Sequence, residues 1–163
     1  GVGPAMAGVM LSEIDITKAE YPSSLHKYAG LDVASDGQGR SRKKEHLEDS
    51  EYVDAEGEVK VKKGITFNPF LKTKLVGVLG SSFIKQSPDK CVYRKIYDDY
   101  KHRLEHMDAH KEKSKGHRHN MAVRYMVKMF LVDLYNAWRR IEGLPVAPTY
   151  SEAKLGKVHK IAA

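Results

Sequence analysis

Ser41 stands between Arg40 and Arg42, with Lys43 and Lys44 immediately beyond, in the stretch GLDVASDGQGRSRKKEHL that spans residues 30–47. A serine hydroxyl becomes a nucleophile where a base or a cationic setting stabilises its alkoxide and where other groups hold the oxygens of the phosphoryl group under attack. The four cations around Ser41 would supply the charge side of that requirement to a phosphodiester. Ser35, the other hydroxyl of the loop, lies in ASDGQG beside Asp36, whose negative charge would repel a DNA strand. Local electrostatics therefore prefer Ser41 to Ser35, while the plainer reading, that both are serines of a solvated loop, stays open. The tetrapeptide GVGP offers a second phosphate contact. Gly1 and Gly3 would let a backbone come close, and Pro4 leads into a helix whose free N–H groups would face the anion. An ordinary glycine turn would read the same way.

The histidines raise a metal reading, since His102, His106 and His110 are four apart and would share a helix face, with His117 and His119 nearby. A zinc site needs three or four ligands in tetrahedral geometry. No HExxH motif is present and Cys91, the lone cysteine, lies elsewhere, so no metal ligand is assigned and these imidazoles read as phosphate-contacting or solvated. A formal net charge of +7 favours a polyanionic partner, because clustered Lys and Arg gain from displacing the counterions around phosphates. One cysteine cannot form an internal disulfide and fits a reducing compartment. No apolar run approaches the roughly 20 residues that span a bilayer, and no signal peptide is visible. With 163 residues, 41% of them hydrophobic, the chain can bury one sizeable core, so one domain is expected. The chain begins without an initiator methionine, which makes a piece of a longer protein the expectation.

Elements must position these residues. PAMAGVMLSEI (residues 4–14) reads as a short apolar helix with Pro4 in its first turn. YPSSLHKYAGL (21–31) reads as a second helix, capped by Ser23 or Ser24 and stopped by Gly30. EHLEDSEYVDAEGEVKVKKGI (45–65) gives two extended stretches around a turn at Asp54 and Gly57, a charged β-hairpin. FNPFLKTKLVGVLGSSFIK (67–85) begins a helix with Asn68 as cap and Pro69 first, and Leu71, Leu75, Val78, Leu79 and Phe83 make one apolar face. CVYRKIYDDYKHRLEHMDAH (91–110) carries a helical stripe at Val92, Ile96, Tyr100 and Leu104. KEKSKGHRH (111–119) breaks the pattern as a polar connector. NMAVRYMVKMFLVDLYNAWRRIEG (120–143) is the longest helical candidate. Its centre is apolar apart from Lys128 and Asp133 and belongs in the middle of a bundle, with Met126, Phe130 and Leu134 in the core. The tail from 142, with prolines near its start, reads as irregular.

Taken in order, GVGPAMAGVMLSEI, YPSSLHKYAGL, the Ser/Gly/Arg loop and GITFNPFLKTKLVGVL resemble the C-terminal transposase domain of insertion-sequence transposases of the DEDD type. That group is related to the Piv DNA invertases, and some of its members are guided by a bridge RNA. In the family the corresponding stretches run as a GxGP helix-hairpin-helix element, a segment ending in GL, a serine-glycine loop and a following helix. HNMAVRYMVKMFLVDLYNAW is similar to the family's closing helix. The resemblance covers residues 1–140, and its pieces are specific as an ordered set rather than singly.

The residues and the resemblance together give the expectation of a mainly α fold: a helix-hairpin-helix-like N-terminal element (residues 1–31), a serine and basic loop with an inserted β-hairpin read from the residues alone (32–64), a helical core forming a bundle (65–141) and the tail (142–163). The resemblance implies that four carboxylates of an N-terminal RuvC-like half, outside these residues, hold divalent metal, Mg, and that the C-terminal half, to which these residues correspond, contributes a serine nucleophile. By the family's commoner spacing from Gly30 and Leu31, that serine would fall on Gln38, followed by Gly39, so the sequence departs from the pattern there. Ser41 after a short insertion, Ser35 after a deletion, or an element without a nucleophile are the alternatives, and the basic neighbours favour Ser41. The charged hairpin also departs from the compact family loop. The expected function is DNA transposition, with DNA as partner, a guide RNA where one is used, a homo-oligomeric full-length protein, no membrane, and a cytoplasmic, nucleoid-associated location. Gly1, Gly3, Arg40, Arg42, Lys43 and Lys44 would hold nucleic acid. The alternative is a non-catalytic helical module that docks DNA or RNA through the same basic surfaces. A purely structural helical interaction domain would leave the positive charge unexplained.

Overall fold

The structure, a computed structural model, describes residues 2–156. Its chain is mainly helical with one two-stranded antiparallel hairpin: α1 (Pro4–Glu13), α2 (Pro22–Tyr28), β1 (Glu48–Val53), β2 (Val59–Gly64), α3 (Pro69–Thr73), a π-helical turn (Lys74–Leu79), α4 (Gly80–Ile84), α5 (Val92–His106), α6 (Lys115–Ile141) and α7 (Tyr150–Leu155). Proline opens α1, α2 and α3, where its missing N–H costs no hydrogen bond. Asn68 caps α3 by accepting the Leu71 N–H at 3.0 Å, as expected. For α2 the cap is Tyr21 rather than Ser23 or Ser24, because Pro22 already occupies the first helical position. Among the described residues no helix is long and apolar enough to cross a membrane.

α6 is the axis of the bundle, with α2, α4 and α5 packed around it. Met126, Val127, Leu131 and Tyr135 are wholly buried, and Phe130 packs between the rings of Phe83 (5.6 Å) and Tyr93 (5.4 Å). Leu134 is only half buried, at the margin of the core. The helix begins at Lys115, inside the stretch expected to be a connector. Ser114 accepts the His117 N–H and caps it, so residues 115–119 join the first turns. On α5 the buried positions are Tyr97 and Leu104, with Tyr93, Ile96 and Tyr100 partly covered, whereas Val92 at the helix start is exposed. The tail is not wholly irregular: Thr149 and Glu152 form a capping box that starts α7.

The π-helical turn settles which side chains of residues 69–84 face inward. Leu71, Leu75, Leu79 and Phe83 are four apart, a spacing that drifts by about 40° per step around an α-helix. The wider turn at 74–79 offsets that drift and keeps all four buried, while Val78 turns out to solvent.

Two side chains lock the far end of α6. Arg139, 5% exposed, donates to the carbonyls of Ile16 (3.1 Å), Ala19 (2.8 Å) and Pro145 (2.6 Å), and the Tyr135 hydroxyl donates to Glu20 O at 2.6 Å. Closer to the middle, His26 of α2 lies 3.2 Å from the Lys128 carbonyl. Burial, with the nearby Lys128 charge, pushes its pKa down to about 4. Between about pH 6.5 and pH 4 the unfolded chain therefore binds a proton that the folded chain does not, and stability falls as pH falls. About 2 kcal/mol should be lost at pH 5 relative to pH 8 through this group. Urea midpoints at the two pH values check it: His26→Gln should remove most of the loss, and an equal loss in both proteins would exclude His26 as its source.

Gly30 ends α2 in the left-handed region at φ +63°. A Cβ there would lie 2.6 Å from the Phe67 ring, so glycine answers both the backbone and the space. From this sharp stop the chain enters the loop that carries Ser41.

Candidate functional site

Residues 32–40 fold into a small hairpin of their own. Arg40 N–H donates to Asp32 O at 3.0 Å, Val33 bridges Gly39, and Ala34 N–H donates to Gln38 O at 2.8 Å. Asp36, at the tip, accepts the Gln38 N–H on Oδ1 at 2.8 Å. The chain then passes Ser41 and makes a single 3-10 turn at Lys44–His46, which carries the His46 ring back beneath the loop. His46 is 3% exposed. Its Nδ1 lies 2.9 Å from Ser41 Oγ and 3.0 Å from the Ser41 backbone N, and its Nε2 lies 3.0 Å from Asp36 Oδ2. The His46 contact, followed by the Gln38 N–H, holds the Asp36 carboxyl below the usual range. Sequence reading had set Asp36 against DNA and had not connected His46 to Ser41. The only available signal was their spacing of ten and five residues within a glycine-rich loop.

Ser41 and His46 open onto a cleft of about 530 Å³ between this loop and α6. Its basic wall comes from Lys43 of the loop, Lys113 and His110 before α6, and His117, Arg124 and Lys128 of α6, and the stacked rings of Tyr100 and Tyr125, 4.0 Å apart, lie beside them. Gly39 lets the Arg124 guanidinium lie flat on the loop: a Cβ there would come within 2.9 Å of Nη2. Arg124 donates to Gly30 O at 3.2 Å and has no carboxylate partner among the described residues, nor has Lys128. Burial disfavours the charged forms of both, and for Lys128 the Arg124 charge adds to the effect. Behind the loop Lys72 donates to Arg40 O at 2.7 Å, and burial, then Arg124, lowers its pKa to about 8. Among the described residues Asp32 is the carboxylate that opposes this crowding, and it is already paired with Arg40. The cleft thus carries a surplus of positive charge at partly dehydrated sites, which an anion would relieve.

No family model, curated protein or solved structure matches the chain. Function must therefore be argued from the residues themselves.

The predicted residues divide into groups. Ser41 lines the cleft with its hydroxyl on an imidazole, whereas Ser35 is exposed on the small hairpin and outside the cleft. Lys43 lines the cleft, and Arg42 and Lys44 are exposed beside it. Arg40 departs from its predicted role: its guanidinium is 2.9 Å from both Asp32 and Glu48, only 12% of the side chain is exposed, and its charge is already balanced. It is a strut between the loop and the root of β1. Gly3 precedes α1 as its cap, and no residue before Leu31 lines the cleft, so the structure does not bring Gly3 to Ser41. Gly1 lies outside the described residues. Of the histidines, His110 and His117 face the cleft, His119 meets the Tyr97 hydroxyl at 2.7 Å, and His102 and His106 stack on each other at 4.2 Å. The carboxylates nearest Ser41 are engaged, Asp36 by His46 and Asp32 by Arg40.

Proposed function

We propose that this chain is the DNA-handling and serine-bearing part of a transposase of the DEDD insertion-sequence type, acting on DNA phosphodiesters within a longer protein. The observation that carries the reading is that Ser41 opens onto a cleft whose cations, Arg124 and Lys128 above all, lack carboxylate partners among the described residues. The ordered motifs of residues 1–140 supply the reaction class. In this reading a strand backbone enters between the loop and α6, the attacked phosphoryl oxygens lie against Arg124 and Lys128, and Lys43 and Lys113 hold flanking phosphates at the rim. Ser41 attacks, forms a transient protein–DNA linkage and releases a 3′ hydroxyl that later reverses the step. Sequence selection is left to a bound RNA where one is used, and divalent metal to the other half.

Salt-dependent binding tests the placement of DNA. Each phosphate neutralised adds about 0.9 to the magnitude of the log–log slope of affinity against salt. Lys43→Ala, Lys113→Ala and Lys128→Ala together should lower that magnitude by about 2 to 3 in a fluorescence-anisotropy titration with labelled duplex. A slope identical to the parent's removes the cleft from the DNA interface and the reading with it.

A further inference from the structure

We propose that Ser41, His46 and Asp36 form a nucleophile–base–carboxylate relay in which His46 takes the Ser41 proton and Asp36 fixes the orientation and tautomer of the imidazole. The proposal rests on Ser41 being the nucleophile of the reading above, and it names the group that activates it.

The hydrogen-bond directions leave one arrangement. The Ser41 backbone N–H can only donate, and it points at Nδ1 from 3.0 Å, so Nδ1 carries a lone pair. The ring proton is then on Nε2, where it is donated to Asp36 Oδ2 at 3.0 Å. The Ser41 hydroxyl, 2.9 Å from Nδ1, donates into the same lone pair and shares it with the backbone N–H, and the Lys43 N–H reaches its oxygen from 3.3 Å. Asp36 cannot swing away freely, since its other oxygen accepts the Gln38 N–H. A buried imidazole that merely fastened a loop would need no hydroxyl on its basic nitrogen. Here that hydroxyl also lines a basic cleft.

The step balances as follows. The Oγ–H proton passes to His46 Nδ1 as the Oγ–P bond forms. The P–O3′ bond breaks and the departing oxygen takes a proton from water in the cleft, leaving a 3′ hydroxyl and a Ser41 phosphodiester. The imidazolium faces the Asp36 carboxylate, which stabilises it. In the return step an incoming 3′ hydroxyl attacks phosphorus and gives its proton to water, while Oγ departs and takes back the proton from Nδ1. His46 is thus the catalytic base and Asp36 a positioning residue.

A fluorophosphonate tests this on the chain itself, because its fluoride leaves without needing a proton and its product is a stable Ser41 phosphonate seen by intact mass. The parent should be labelled and Ser41→Ala should not. His46→Gln should slow labelling by about 10² to 10⁴-fold, the usual span for a general base. Asp36→Asn should slow it by up to about 10⁴-fold and shift the His46 ¹⁵N pattern away from the Nε2–H tautomer. Thermal melts confirm that the variants fold, and the ¹⁵N pattern of the parent requires no variant. Labelling of His46→Gln at the parent rate, an unlabelled parent, or a parent with the proton on Nδ1 would each overturn the relay. If labelling fails while the cleft-dependent salt slope stands, the relay is wrong and DNA binding by this cleft survives. If labelling depends on His46 but the slope ignores the cleft lysines, the serine is activated and DNA is not its substrate.

Discussion

Ser41→Ala is expected to abolish a covalent protein–DNA adduct while leaving duplex affinity close to that of the parent. The experiment uses the longer protein that our reading implies, with its metal-binding half, its RNA if it has one, and a nicked suicide substrate that traps the linkage through denaturation. Loss should be complete because the hydroxyl is the bond-forming atom. Affinity should barely change, since in the proposed reading the backbone is held by Arg124, Lys128, Lys43 and Lys113, which line the cleft, and one small neutral side chain adds little beside them. Ser35→Ala is the internal control. It sits on the exposed hairpin without an imidazole beside it and should leave the adduct intact. Adduct lost with Ser35→Ala and kept with Ser41→Ala would move the nucleophile and remove His46 from the chemistry. Adduct formation indifferent to both would end the serine mechanism and favour the non-catalytic binding module. The 163-residue chain alone should trap no DNA, because an unstrained phosphodiester has a far poorer leaving group than a fluorophosphonate and the expected metal ligands are elsewhere.

Phe130→Ala should destabilise the fold by about 3 to 5 kcal/mol, the span for truncating a buried aromatic. Phe130 is 6% exposed and its ring contacts Phe83 and Tyr93, which themselves meet at 4.8 Å, so truncation leaves two rings facing a void instead of one repacked gap. Leu134→Ala should cost less, because Leu134 is half buried and its neighbours can close over the loss. Urea unfolding of the two variants separates the cases. Equal midpoints for Phe130→Ala and the parent would contradict the bundle centred on α6.

The helices were legible where a local rule decided them. Pro4 and Pro69 start their helices, Asn68 caps one, and the apolar run around Phe130 lies at the centre of the bundle. The misread positions were those where distant packing overrode periodicity. Val78 points outward because a π-helical turn rotates the chain, and Val92 is exposed because it stands at the first position of α5. The start of α6 was hidden by Gly116 and by the charge around it, although Ser114 was a sufficient cap. Ser41 and Lys43, singled out in the sequence for the charge around them, both line the cleft. Arg40, expected among the cations that hold nucleic acid, is instead paired, and no rule of sequence spacing reveals that Asp32 and Glu48 close on it. Lys128 had been marked only as an exception in an apolar run. Lys128 in fact lines the cleft beside Arg124, a placement that periodicity within an apolar run does not reveal.

The hairpin of β1 and β2 is exposed along nearly its whole length, with acidic Glu48, Asp49 and Glu51 on one strand and basic Lys60, Lys62 and Lys63 on the other. A lone two-stranded ribbon is marginal in water. Its ladder should therefore open on its own, far more often than the bundle unfolds, and its amide protons should exchange by that local route while those of α6 wait for the global one. Because Glu48 at the ribbon's root also holds Arg40, each opening that frees Glu48 slackens the strand leading into Ser41. The Ser41 loop is thereby fastened to the least durable of the described elements, and whatever clamps the ribbon shut should also quiet Ser41.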